Sequence, residues 1–399
     1  MRYRKFPRAD VEVSEVGFGT WTLSTGWWGE KTDDEAVAML RRAHDDFGIT
    51  FFDAADSYGN GRSERQLATA FKGKRDQVVI GTKVGYDIYD EAAASARRGQ
   101  MELPQRTDPQ YIRSAVDRCL QRLGTDYIDV LQMHNVKMPH VHDRALWQTL
   151  RDLKREGKIR AWGAAFGPAI GWLYEATDLV EREPDIDTIQ MIWNILEQHP
   201  GTAMIEAAVK HSPSCCFNIR VTHASGMLEG KYTESTEFAA NDHRRHRPRS
   251  WLVNGVKKVA TLGFLQERMT LGQAALKWLL TEPRVVTTLP NVYDDGQLRE
   301  FAAAADLPDL TDAELQRIDA LHQRNFGVVE EPMSYKGEMV REGGAYNRVY
   351  PPNATVRDDS AASAGSTAGA PSGTAAGTAA GTGAGTGAGT AAGTAAGRA

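Results

Sequence analysis

The chain has 399 residues, with 47 Lys and Arg against 52 Asp and Glu and a formal charge of −5. That balance excludes bulk electrostatic binding of nucleic acid, and no run approaches the ~18 apolar residues that span a membrane. Three cysteines, Cys119, Cys215 and Cys216, are too few for a disulfide framework and fit a reducing compartment. With no apolar stretch behind Met1-Arg-Tyr-Arg-Lys-Phe6, a cytoplasmic protein is expected.

Strand and helix signals then alternate along the chain. Residues 16–20 read as a strand, and residues 33–47 as a helix that starts at Asp33 and Asp34 and sets Ala36, Leu40 and Ala43 on one face. Residues 49–52 are the next predicted strand and residues 63–72 the next helix. Short runs rich in branched side chains follow at 78–80, 128–131, 159–162, 188–190, 217–219 and 285–289. Helical patterns lie between them at 111–122, 144–156, 169–182, 202–211 and 270–281. Such alternation suits a closed (β/α)8 TIM barrel or a doubly wound open sheet. An open sheet should show a Gly-x-Gly-x-x-Gly fingerprint, but Gly17-Phe-Gly19 is followed by Thr22 where the third glycine belongs. Strand number and length therefore predict one barrel domain over residues 1–325. Residues 326–357, with Tyr335, Tyr346 and Tyr350, are expected to form an extension or lid. Residues 358–399 form an Ala/Gly/Thr-rich tail with no aromatic, Leu, Ile or Val, and such a composition is expected to be disordered.

In such a barrel the chemistry sits on loops at the C-terminal strand ends. Asp53 follows the second predicted strand, Tyr58 lies on the loop beyond it, and Lys83 and His134 follow the third and fourth. Taken singly, each reads as a surface pair or a turn residue. Together they make an acid–base set. A Lys ammonium favours a nearby phenolate and lowers the tyrosine pKa, while an Asp positions the Lys. A neighbouring His can donate to the same oxygen, so the set protonates a carbonyl oxygen as a hydride reaches its carbon.

These segments resemble those of the aldo-keto reductase family. Phe51-Phe-Asp53-Ala-Ala-Asp-Ser-Tyr58-Gly59 is similar to the family's Asp-Thr-Ala-x-x-Tyr-Gly signature. Thr82-Lys83-Val-Gly85 and Tyr127-Ile-Asp-Val-Leu-Gln-Met-His134, the latter after Arg122-Leu-Gly-Thr-Asp, resemble its lysine and histidine segments. The similarity runs from about Tyr3 to about Leu321. It implies reduction of an aldehyde or ketone by NADPH or NADH, with Tyr58 as general acid, Lys83 and Asp53 tuning it, and His134 orienting the carbonyl. It also implies Gly19, Thr20 and Trp21 at the nicotinamide edge, with Asp53 and Gln190 nearby. Trp21, Trp27 and Trp28 would wall the substrate pocket beside Tyr58 and His134, although packing of the first loop against the rim suits Trp27 and Trp28 equally.

The cofactor positions follow the family less closely. Gly163-Ala-Ala165-Phe166 stands where the family usually has Gly-Val-Ser-Asn, whose Ser and Asn hold the carboxamide. Arg220 replaces a stacking Tyr, before Gly226-Met-Leu228-Glu-Gly-Lys231-Tyr232 rejoins the pattern. Its flat guanidinium can stack on the nicotinamide, but its charge disfavours the oxidised, cationic ring; a substrate carboxylate or phosphate would suit it. Pro290 and Asn291 replace Pro-Gly, and Gln297 and Glu300 match the adenosine side. Residues 292–295 lack the Arg or Lys that often binds a 2′-phosphate; Asp294 and Asp295 either repel that phosphate or cap the following helix. The basic run at 242–249, with Lys231, supplies Arg244 and Arg245 as pyrophosphate candidates. These departures keep open a non-redox isomerase or lyase, or a nucleotide-sensing regulatory protein. His134, His140 and His142 lack the carboxylate or Cys partners of a metal site, so no metal is expected. The expected partner is a small carbonyl compound, with neither nucleic acid nor membrane, and the oligomeric state stays open.

Overall fold

The computed structural model describes residues 1–90, 102–167 and 172–330, all within one unit, Met1–Thr355. The chain enters through an antiparallel pair that has no clear sequence pattern, β1 (Tyr3–Lys5) and β2 (Glu12–Ser14). Eight parallel strands follow: β3 (Phe18–Gly19), β4 (Phe51–Asp53), β5 (Val79–Val84), β6 (Ile128–His134), β7 (Ile159–Ala165), β8 (Thr188–Ile192), β9 (Cys216–Arg220) and β10 (Val285–Leu289). They pair in chain order. A parallel bridge between Val16 and Thr288 joins the last strand to the first, with Gly17 N donating to Thr288 O at 2.8 Å and Thr288 N to Glu15 O at 2.9 Å. The predicted barrel is present.

Phe6, Val11 and Val13 of the entry hairpin pack with Phe51, Val79, Val130, Ala161, Cys216 and Val286, all at or near strand starts. This apolar plug seals the N-terminal floor and leaves the polar strand ends for chemistry. Apart from exposed Arg160 on β7, the residues of β4 to β9 are buried or, at three strand ends, partly so, so these strands read as largely apolar runs instead of alternating ones. At Gly163 an added Cβ would lie 1.9 Å from Thr188 O; the close approach of β7 to β8 admits only glycine there.

The predicted helices appear at Asp33–Asp45, Arg62–Ala70, Pro109–Leu123, Arg144–Arg155, Tyr174–Arg182, Gly201–His211 and Leu271–Leu279. Thr32 starts the Asp33–Asp45 helix by accepting from Glu35 N at 3.2 Å, while the Glu35 carboxylate accepts from Thr32 N at 2.8 Å. That capping box satisfies two orphan donors, and Ala36, Val37, Met39, Leu40 and Ala43 fill the buried face. The helix predicted from residue 169 starts at Tyr174 among the described residues, and residues 168–171 lie outside them. Helices at Arg249–Ala260, Asp295–Ala303 and Asp312–His322 complete the outer layer. Apart from 326–330, the expected extension and tail also lie outside the described residues. No helix of the described residues is long and apolar enough to cross a membrane.

Candidate active site

Asp53 ends β4, Lys83 lies next to the end of β5, and His134 ends β6. Adjacent strands therefore bring the three to one rim. The Lys83 ammonium spends its donors on Asp53 Oδ1 at 2.7 Å, Asp53 Oδ2 at 2.7 Å and Ala54 O at 2.8 Å. Lys83 is 1% exposed and Asp53 4%, so the pair is screened little by solvent. Tyr58 is delivered by a tight turn through Gly59, Asn60 and Gly61, all at positive φ. A Cβ on Gly59 would meet Ser24 O at 2.6 Å, which explains glycine at that position. Lys83 Nζ lies 5.1 Å from the centre of the Tyr58 ring, and the Tyr58 and His134 rings meet edge to face at 5.9 Å.

Burial raises the Tyr58 pKa above its ordinary value, with the Lys83 charge opposing it. The expected fall produced by Lys83 is thus outweighed by desolvation. Burial first, then the charges of Lys83 and Arg220, hold the His134 pKa well below the ordinary histidine value. His134 is therefore neutral near pH 7. Ser57 Oγ lies 3.3 Å from His134 Nδ1; with Ser57 as donor, the ring proton sits on Nε2.

Gln190, expected at the carboxamide, lies inside the barrel and donates to Asp53 Oδ1 at 2.8 Å, while its Oε1 is buried without a partner. Sequence patterns missed Gln132, whose Oε1 lies 3.3 Å from Gln190 Nε2. They also missed Tyr86, whose ring sits 4.9 Å from that of His134, and Asn135, which donates to Tyr86 Oη at 2.6 Å. Tyr86 and Asn135 each lie just past a strand end, where the rule that found His134 also applies.

Trp21 packs 6.5 Å from Trp27 and 6.4 Å from Trp28. His243 joins them at 5.3 Å from Trp21 and 5.1 Å from Trp28, and its backbone N donates to Trp27 O at 3.3 Å. The basic run is thereby docked on the tryptophan loop. Arg244 lies 3.8 Å above the Trp28 ring, donates through Nε to Asp242 Oδ1 at 2.9 Å and bonds the Tyr232 hydroxyl. Its guanidinium is engaged within the protein. Arg245 is exposed, as is Lys231, which pairs with Glu229 at 3.4 Å.

Around the remaining rim, Thr20 Oγ1 donates to Asp53 O at 2.9 Å. Gly19 leaves its side open, since a Cβ there meets only Pro290 O at 3.9 Å. Gly226 starts the Met227–Glu229 turn, in which Leu228 is buried. Pro290 is buried and Asn291 partly so. Gln297 accepts from Tyr293 N at 2.9 Å and donates to Glu229 at 3.0 Å, and Glu300 accepts from Thr270 Oγ1 at 2.7 Å. Asp294 caps the Asp295–Ala303 helix by accepting from Gln297 N at 2.8 Å, and Asp295 pairs with Arg42. Of the two readings of Asp294, the helix cap is the one observed. His142 bonds Asp178 at 2.6 Å, and His140 Nδ1 accepts from Lys137 N at 3.2 Å. Cys215 and Cys216 are buried, and burial pushes both thiols up.

Burial between Trp21 and Trp28 lowers the His243 pKa from 6.5 to about 4. With the folded pKa depressed, its contribution is present above the unfolded value and lost as pH falls toward the folded one. That contribution amounts to about 3 kcal/mol. His243→Asn should flatten the decline in melting temperature between about pH 6.5 and 4, measured by calorimetry against the parent protein. An unchanged slope would remove His243 from acid sensitivity.

A model of the aldo/keto reductase family matches residues 15–323. The NADH-specific methylglyoxal reductase of Escherichia coli is 28% identical over 322 residues, covering 76% of this chain and 93% of that protein. A probable voltage-gated potassium channel subunit beta of Arabidopsis thaliana is 25% identical over 361 residues, covering 84% and 100%. The holo form of aldo-keto reductase AKR11C1 from Bacillus halodurans superposes with a TM-score of 0.63 at 26% identity, covering 80% and 96%.

Proposed function

From the premise that the chain belongs to the aldo/keto reductase family, we propose that it reduces an aldehyde or ketone to the alcohol with a nicotinamide cofactor, Tyr58 acting as general acid. The buried Lys83 ammonium, held on Asp53 at 2.7 Å and 5.1 Å from the Tyr58 ring centre, is the main support. Burial keeps the proton on Tyr58 before reaction. As negative charge develops on the carbonyl oxygen, Tyr58 transfers that proton and Lys83 stabilises the phenolate left behind. Neutral His134 donates from Nε2 and orients the carbonyl without adding a second cation.

The cofactor supplies the hydride when bound. The buried, unpartnered Oε1 of Gln190 suits a carboxamide N–H, the open side of Gly19 leaves room for a ring, and exposed Arg245 and Lys231 suit a pyrophosphate. Pro290, Asn291, Gln297 and Glu300 would line the adenosine end. Residues 292–295 carry no Lys or Arg for a 2′-phosphate, and their two carboxylates are engaged within the protein, Asp294 in the helix cap and Asp295 with Arg42. NADH is therefore expected to bind at least as tightly as NADPH, in keeping with the NADH-specific relative. Quenching of tryptophan fluorescence during titration with each nucleotide measures this. A tenfold or greater preference for NADPH, about 1.4 kcal/mol, would overturn the 2′-phosphate argument, and no quenching by either nucleotide would overturn the reductase proposal. Ala165 and Phe166, in place of the carboxamide-binding Ser and Asn, favour a non-redox reading. Product formation without change in nicotinamide absorbance would establish it.

A further inference from the structure

Arg220 ends β9 at the same rim. Its Nη2 donates to Phe166 O at 2.8 Å, and its Nε is sealed from solvent without a partner. Its space is made by Gly167, whose φ is 153°: a Cβ there would lie 1.8 Å from Nη2. The other enclosed cations of this region are neutralised, Lys83 by Asp53, Arg122 by Glu64 and Arg244 by Asp242. Among the described residues no carboxylate forms an ion pair with Arg220. Its charge nevertheless reaches Tyr58, Tyr86 and His134. A desolvated guanidinium that spends only part of its donors on protein is costly until an anion completes it.

Resting on the reductase reading for the chemistry at the carbonyl, we infer that Arg220 binds a carboxylate on the substrate, so that the enzyme's substrates are aldehydes or ketones bearing a carboxylate. The charge count favours this class. Asp53 balances Lys83, Glu102 pairs with Lys137 at 3.2 Å, and burial pushes the buried Asp56 carboxyl well above its ordinary value toward the neutral form. Arg220 is thus left as the uncompensated positive charge at the rim, which one carboxylate matches. A phosphate dianion would leave excess negative charge beside the forming oxyanion. The planar fork of Arg220 also suits bidentate carboxylate recognition, whereas it would repel an oxidised, cationic nicotinamide.

Binding can be read without turnover. Benzoate and its neutral isostere benzamide are titrated into the full-length protein, its Arg220→Met and Arg220→Lys variants, by calorimetry or tryptophan fluorescence. The parent protein should bind benzoate about tenfold or more tighter than benzamide, as expected for a charge-assisted pair. Arg220→Met should bring that ratio close to one, and Arg220→Lys should retain part of it. Equal binding by the parent protein, an unchanged ratio in Arg220→Met, or tighter binding of phenyl phosphate than benzoate would each overturn the proposal. NADH oxidation with 4-carboxybenzaldehyde and its methyl ester separates the two levels. Equal kcat/KM for acid and ester overturns the Arg220 assignment. Reduction of neither, with benzoate still bound through Arg220, supports the anion site and overturns the reductase reading alone.

Discussion

Tyr58→Phe should lower turnover in carbonyl reduction by about a thousandfold, within the range set by a positioned general acid, while cofactor affinity stays within about twofold of the parent. The substitution removes one oxygen and leaves the ring that packs on His134 at 5.9 Å. With Phe in place, His134 is the nearest alternative proton source, but it is already neutral and holds its remaining proton tightly, so it cannot replace a phenol beside an ammonium. Steady-state NADH or NADPH oxidation measures the loss, and fluorescence titration measures the retained cofactor site. Turnover within about tenfold of the parent would exclude Tyr58 as the acid. Because burial raises the Tyr58 pKa above the ordinary tyrosine value, Tyr58 stays protonated through neutral and mildly alkaline pH. Reduction in the parent protein should therefore decline only when the pH passes the ordinary tyrosine range.

Asp53→Ala should destabilise the fold by about 3–5 kcal/mol, the cost of leaving a buried charge without its partner. Lys83, 1% exposed, would keep only Ala54 O as acceptor, and Gln190 Nε2 would lose its 2.8 Å bond to Asp53 Oδ1. Lys83→Met in the same background removes the stranded charge. The double variant should therefore be more stable than Asp53→Ala alone, a coupling that independent sites would not show. Denaturant unfolding of four proteins, the parent, Asp53→Ala, Lys83→Met alone and the double variant, measures this. All three variants should lose reductase activity, so stability carries the distinction. If Asp53→Ala unfolds within about 1 kcal/mol of the parent, the pair is solvated and the electrostatic support for Tyr58 falls with it.

Asp53, Lys83 and His134 were legible as rim groups because a parallel barrel strand is a short apolar run and these polar side chains stand where the run stops. Thr32-x-x-Glu35 likewise marks its helix start, through side chains that bond the backbone three residues away. The entry hairpin was not legible. Tyr3–Lys5 and Glu12–Ser14 are three residues each, mix charged with apolar side chains, and gain their role only when Val11 and Val13 reach Val130 and Ala161. The Arg249–Ala260 helix starts within a basic run, which obscures a periodic face.

Local pattern and chemical type thus determined the barrel and the four rim groups by themselves, since both depend on neighbours a few residues apart. Tertiary packing decided which of those groups are charged, and which are free. Lys83 predicts a more acidic Tyr58, but the desolvation that reverses this arises from walls contributed by distant strands. Arg244 and Arg220 look alike as basic residues near a cofactor loop. One is engaged by Asp242, Tyr232 and Trp28, whereas the other keeps its buried Nε without a partner. The energy of a charge depends on what solvates or pairs it, and the folded chain sets both.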